Sequence, residues 1–215
     1  WDWRAPGRVS QGALSFTQIS AGNQHTCALD AGGAAWCWGK NGAQHYLGNG
    51  TTVDATVPTL VAMPAGVTFT DIECGPTHTC AIAATVALYC WGYYTNGKLG
   101  DGVAVDGSIP VEVFSFGVVS VSAGVNHTCA VTSFGTAYCW GLQLNGALGT
   151  GASPGDYDEP QEVSAPGIMF AQITAGSSFT CANTTTGAVY CWGDGTHGQM
   201  GNNTTTSSPT PVAVT

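Results

Sequence analysis

The chain has 215 residues, of which only 8% are charged, and 13 acidic against 4 basic side chains give a formal net charge of −9. Four cations cannot neutralise a run of phosphates, which excludes an electrostatic grip on nucleic acid or on an anionic membrane. Seven tryptophans and 44% hydrophobic residues exclude a disordered acidic chain, and no run approaches the ~18 apolar residues of a spanning helix.

Residues 1–15 read as an N-terminal arm. They carry Trp1, Trp3 and the segment Pro6-Gly-Arg-Val9. The chain opens on Trp1 rather than Met and shows no signal peptide, so it is expected to be a processed mature chain or a fragment. Four units follow, at about 16–68, 69–117, 118–169 and 170–215, with a period near fifty residues that suits propeller blades rather than helical solenoids.

Within each unit the first predicted strand has apolar residues three apart: Phe16/Ile19, Phe69/Ile72, Val118/Val121 and Phe170/Ile173. The second strand holds Thr-Cys-Ala, preceded by His25, His78 and His127 in three units and by Phe179 in the fourth. The third is an aromatic run ending in Cys-Trp-Gly, at Trp38, Trp91, Trp140 and Trp192. A Gly-rich loop leads to a fourth strand with Pro-x-x-Val, at Pro58/Val61, Pro110/Val113, Pro160/Val163 and Pro209/Val212. Proline at a strand start suits an outer position, where its missing N–H needs no ladder partner. No 3.6-residue periodicity is sustained. The predicted fold is all-β, a propeller-like array of four four-stranded blades.

Eight of the nine cysteines form pairs of one spacing: Cys27/Cys37, Cys80/Cys90, Cys129/Cys139 and Cys181/Cys191. If the second and third strands form a hairpin, each pair stands opposed across it, within reach of a disulfide. Each bridge should contribute roughly 2–3 kcal/mol. The tryptophan beside each second cysteine then points to the other face and can pack between units. Fixed cysteine spacing together with N-x-Ser/Thr sequences predicts a secreted, extracellular glycoprotein. Asn49, Asn202 and Asn203 lie in loops and are the expected glycosylation sites; Asn126 and Asn183 lie near strands and are poorer ones. Cys74 takes the place of Ala21, Ala123 and Ala175. It reads as a buried inert thiol or as a link between chains.

The succession Gly-x-x-His-Thr-Cys-Ala, Cys-Trp-Gly, Asn-Gly-x-Leu-Gly and Pro-x-x-Val, over about residues 5–214, resembles the regulator of chromosome condensation repeat. The resemblance implies a β-propeller with four-stranded blades, usually seven, against four units here. It also brings in secreted protein-binding propellers, among them a β-lactamase inhibitor. The nuclear founding member acts on a small GTPase and chromatin; the scarcity of basic residues and the paired cysteines do not carry that over.

The recurring histidines are expected to be structural, each donating an imidazole N–H to a backbone carbonyl, because Phe179 at the fourth position cannot ligate a metal. His45 and His197 read as solvated loop residues. Asp101, Asp106, Asp156, Asp158 and Glu159 read as acidic turns, with Asp156-Tyr-Asp158-Glu159 lacking the glycine and distal glutamate of a calcium loop. No nucleophile elbow, phosphate-binding loop or His-Glu-x-x-His occurs. The expectation is therefore no catalysis, no metal and no cofactor.

Two functions remain from the residues. Five Pro-x-x-Val segments serve four units, which predicts head-to-tail strand donation between copies through Trp1, Trp3, Pro6, Val9, Pro209 and Val212, building a filament or surface layer. The alternative is a secreted module that binds another protein or a glycan through its loops. Those loops are mostly Gly, Thr, Ala and Asn, except for Tyr93-Tyr94, with Tyr46 near them. Nucleic acid and membrane insertion are not expected.

Overall fold

The structure, a computed structural model, describes residues 14–152 and 154–215. Blade I comprises β1 (Phe16–Ala21), β2 (His25–Asp30), β3 (Ala35–Gly39) and β4 (Ala55–Leu60). Blade II comprises β5 (Phe69–Cys74), β6 (His78–Ala83), β7 (Leu88–Gly92) and β8 (Gly107–Phe114). Blade III comprises β9 (Val118–Ala123), β10 (His127–Thr132), β11 (Ala137–Leu142) and β12 (Asp156–Glu162). Blade IV comprises β13 (Phe170–Ala175), β14 (Phe179–Thr184), β15 (Val189–Gly193) and β16 (Ser208–Ala213). Each blade is an antiparallel sheet in simple chain order.

Apolar residues three apart would point to opposite faces of a regular strand. A β-bulge removes the conflict: the pairing shifts between Phe16 and Gln18 in β1, and at the same place in β5, β9 and β13. One extra residue brings Phe16 and Ile19, and their counterparts, onto one face. The hairpin between the second and third strands turns through a left-handed residue, which is Gly33, Gly135 and Gly187 in three blades but Val86, with φ 60°, in blade II. A β-branched side chain is a true outlier in that region.

The first strands of adjacent blades adjoin, so β1, β5, β9 and β13 line the inside of the array and the proline-bearing strands lie outside. Side chains rather than backbone join the inner strands. Ser20 Oγ accepts the Cys74 N–H at 2.9 Å, Gln18 Oε1 accepts that of Ile72 at 3.1 Å, and Ser122 Oγ accepts that of Ala175 at 3.0 Å.

Each blade has a front face toward the preceding blade and a back face toward the next. Cys27, Leu29, Cys37 and Leu47 on the back of blade I pack against Phe69, Ile72, Ala81 and Trp91 on the front of blade II. Blade II meets blade III in the same way through Cys80, Cys90, Ile82, Leu99 and Trp140, and blade III meets blade IV through Cys129, Cys139, Val131, Leu148 and Trp192. All four predicted disulfides are formed: Cys27–Cys37, Cys80–Cys90, Cys129–Cys139 and Cys181–Cys191. Each bridges opposed residues of one hairpin, with Cα atoms 4.0–4.1 Å apart. The first three are buried beneath the next blade, with Cys37, Cys90 and Cys139 as fully enclosed as their partners.

The fourth strand of the last unit departs from the expected frame. Pairing places Ala213 opposite Tyr190, as Leu60 stands opposite Trp36 and Glu162 opposite Tyr138. The counterparts of Pro58/Val61 are therefore Pro211/Val214, not Pro209/Val212. The two frames differ by two residues, which leaves every side chain on the same face, so alternation alone cannot separate them.

Candidate functional site

At one end of the sheets, the turns from first to second strand lie beside the long loops from third to fourth strand. Here His25, His78 and His127 do not bond backbone carbonyls as expected. Their Nε2 atoms reach into the next blade, to the hydroxyls of Thr79, Thr128 and Thr180, at 2.8–2.9 Å. Thr128 and Thr180 donate their own hydrogens to the carbonyls of Lys98 and Ala147, so in these pairs the imidazole must be the donor, protonated at Nε2. Burial holds the rings neutral: it lowers His25 and His127 to about 4 and His78 well below the ordinary value.

The tyrosines singled out by sequence converge on this end. Tyr46 stacks on His25 with ring centroids 5.6 Å apart, and Tyr93 and Tyr94 meet edge to face at 6.2 Å. Burial raises the Tyr46 phenol, helped by the nearby Tyr93 and Asp106. Lys98 completes the cluster. Its ammonium lies 5.1 Å from the Tyr93 ring centroid and donates to Thr77 Oγ1 at 2.7 Å, and the residue is only 2% exposed. Burial lowers it to about 8, against a smaller opposing pull from Asp106. Sequence reasoning missed Lys98, because Asn-Gly-Lys-Leu-Gly reads as a solvated loop.

The blade II loop then crosses onto β12. Gly97, with φ 76°, lies so close to Asp158 that a Cβ would stand 2.6 Å from its Cα, and Gly102 N–H donates to the Asp158 carbonyl at 2.9 Å. Between loop and strand a cavity of about 210 Å³ is lined by Tyr94, Asn96, Val103, Asp156 and Asp158. Asn96 Nδ2 donates to Asp156 at 3.3 Å. The expected acidic turn is thus part of an outer strand, with Asp156 and Asp158 exposed on one side of it.

Other expected sites fall elsewhere. Asn49 and Asn202 each follow a loop glycine and use Oδ1 to accept both the N–H and the hydroxyl of the threonine two residues on. Asn203 is exposed. Cys74 is a free, partly buried thiol, which burial raises to about 11. Its sulfur lies within 4.8 Å of ligand atoms of His25 and Cys27, but Cys27 is held in a disulfide and offers no thiolate to a metal. Trp1, Trp3, Pro6 and Val9 lie outside the described residues. Pro209 and Val212 belong to β16, which completes blade IV by pairing with β15.

Meandering four-stranded blades set side by side along an inner row of strands, sealed by one tryptophan per junction, define a repeat protein of the β-propeller class. Its repeats match the model described as "Regulator of chromosome condensation (RCC1) repeat" over residues 32–82, 87–131, 135–182 and 186–215, and the chain belongs to that family. It is 33% identical to the ultraviolet-B receptor UVR8 of Arabidopsis thaliana over 99% of the chain and 52% of that protein. Among solved structures it is similar to human WBSCR16, with TM-score 0.83, 22% identity and coverage of 97% of this chain and 55% of that one. It is also similar to Prp20p of Saccharomyces cerevisiae, whose structure was described with its binding properties to Gsp1p and histones, with TM-score 0.81, 20% identity and coverage of 99% and 52%. The chain spans about half the length of the curated relatives it matches first.

Proposed function

We propose that the chain is a non-enzymatic protein-recognition propeller of the extracellular space, and that its loop end takes a basic side chain of a partner protein between Tyr94 and the Asp156/Asp158 pair. The observation that carries this reading is the convergence of Tyr46, Tyr93 and Tyr94 beside a cavity of about 210 Å³ with two carboxylates in its wall. A tyrosine face attracts a Lys or Arg cation, tyrosine is enriched among residues that dominate binding energy, and a net charge of −9 steers basic partners toward the chain. Binding of Gsp1p and histones by the yeast relative supports protein recognition for this architecture. Four disulfides support an oxidising compartment.

Panning the chain against a display library of random peptides tests the loop end. Enriched peptides should contain Lys or Arg, and Tyr94→Ala or Asp156→Asn/Asp158→Asn should abolish their binding. Enrichment without basic residues, or binding indifferent to these substitutions, overturns the reading.

A second reading, assembly of the chain with copies of itself, is favoured by blade I, where Ile19 is 61% exposed while its counterpart Ile72 is 0% exposed.

A further inference from the structure

Cys74 is the one cysteine outside the four bridges, and it breaks the repeat: the first strands of the other blades end in Ala21, Ala123 and Ala175. Its side chain packs into the junction of blades I and II, and its sulfur lies within 4.8 Å of Cys27 Sγ in the Cys27–Cys37 bridge of blade I. Alanine holds the same place at the next two junctions, so Cys80–Cys90 and Cys129–Cys139 have no thiol beside them. Thr79 adds a second, independent feature. Its counterparts Thr128 and Thr180 donate their hydroxyl hydrogens to the Lys98 and Ala147 carbonyls at 2.7 and 2.9 Å. Thr79, held by His25 Nε2 at 2.9 Å, instead donates to Cys74 Sγ at 3.7 Å, and its oxygen lies 3.9 Å from Cys27 Sγ. One hydroxyl therefore stands among thiol, disulfide and imidazole. A donor on sulfur favours the thiolate, which is the form that attacks a disulfide.

We propose that Cys74 and the Cys27–Cys37 bridge form an internal thiol–disulfide exchange switch, which gives the chain two bridged forms at one oxidation state. Cys74 gives up its proton, and its sulfur bonds to Cys27 Sγ. The Cys27–Cys37 bond breaks, its electron pair leaves on Cys37 Sγ, and Cys37 takes up a proton. No electron enters or leaves the chain, so the step needs neither oxidant nor reductant. One form locks the β2–β3 hairpin of blade I. The other ties β2 of blade I to β5 of blade II across the junction, moves the free thiol to β3, and closes a longer loop that restrains the unfolded chain more.

Burial sets the pace. It raises the Cys74 thiol to about 11, against the help of Thr79 and with Glu73 on the same strand opposing a negative charge, so at neutral pH about one molecule in ten thousand carries the thiolate. The titratable groups that face Cys74 are His25 from β2 and Glu73 from β5, while β1 and β6 present the hydroxyls of Ser20 and Thr79. His25, lowered to about 4, is neutral from pH 7 upward, so the exchange rate follows the thiol and rises about tenfold per pH unit.

The test uses the full chain with its bridges formed and no added thiol. Samples held at about pH 7, 8 and 9 are stopped at about pH 3, chosen far below any thiol's titration so that exchange ceases. They are then unfolded, labelled at free thiols with a reagent active in acid, and mapped as non-reduced peptides. The label should start on Cys74 and move to Cys37 as a Cys27–Cys74 peptide appears. The move should be about a hundredfold faster at pH 9 than at pH 7, and its rate should be unchanged by dilution, since both partners lie in one chain. Cys74→Ala, which installs the residue of the other blades, should leave Cys37 unlabelled throughout. Label confined to Cys74 even at pH 9 overturns the proposal. So does Cys74 joined to any cysteine other than Cys27, or a rate that falls on dilution, which would mark exchange between chains.

Discussion

Four tryptophans occupy one position of the repeat, yet their replacement by alanine should cost very different amounts. A buried tryptophan removes about 150–250 Å² from water, which at ~25 cal/mol per Å² is about 4–6 kcal/mol as an upper bound, and large-to-small core changes of this kind cost about 3–5 kcal/mol. Trp91, Trp140 and Trp192 are fully buried at junctions. Trp140 alone of the three has an indole N–H bonded among the described residues, to the Lys98 carbonyl at 3.0 Å, worth about 1 kcal/mol more. Trp38 has no blade in front of it among the described residues and is partly exposed. The expected order is Trp140→Ala at about 4–6 kcal/mol, Trp91→Ala and Trp192→Ala at about 3–5, and Trp38→Ala at about 1–2. Urea unfolding followed by far-ultraviolet circular dichroism gives the values, at about 1 μM chain, chosen below the affinity range of weak interfaces so that copies stay apart. A loss at Trp38 equal to that at Trp91 would refute the argument, because it would mean that the tryptophan acts within its blade and not by sealing a junction.

Further outcomes follow from particular residues. Val86→Gly should stabilise the chain by about 0.5–1 kcal/mol, since the left-handed turn costs an L-residue about 1–2 kcal/mol and glycine's entropy returns part of that; a lowered urea midpoint would contradict the strain at φ 60°. The buried histidines have folded pKa values below their unfolded one, so their contribution is complete above about pH 6.5 and is lost as pH falls toward about 4. The midpoint should drop steadily across that window, and less steeply in His127→Phe; a flat profile would show that the rings take up protons in the fold as readily as in the unfolded chain. Partial reduction should open Cys181–Cys191 first, because Cys181 is partly exposed while both sulfurs of Cys27–Cys37, Cys80–Cys90 and Cys129–Cys139 belong to wholly buried residues, and differential alkylation with mass mapping reads the order. In material from a glycosylating host, glycopeptide analysis should find Asn203 modified ahead of Asn49 and Asn202, whose side-chain oxygens hold each asparagine in a fixed turn by accepting from the threonine two residues on.

Much of this architecture was legible because repetition supplies internal controls. Four copies of a ten-residue cysteine spacing gave the hairpins and their disulfides, and the alternation of Cys and Trp gave the two faces of each blade. The same repetition hid what crosses a junction. His25 looks like a turn residue until the next blade places Thr79 against its ring, and no local pattern encodes that contact. Apolar residues three apart marked the first strands, but only the bulge shows why the spacing is three. Pro209-Thr-Pro211-Val-Ala-Val214 contains the Pro-x-x-Val motif twice, and pairing alone chooses between them. The aromatic cluster was readable from Tyr93-Tyr94 interrupting loops of small residues. Lys98 was not, because its burial comes from the crossing of the blade II loop onto β12.

Every disulfide spans ten residues and stays within one hairpin, so none ties one blade to another. Under tension the covalent links set no limit on how far the blades draw apart. The array would lengthen by giving up one junction at a time, and each unit would yield most of its contour while its central hairpin stays locked at both strands. When the load is released, four preformed hairpins remain along the chain, each a seed on which its own outer and inner strands can refold without searching for a register.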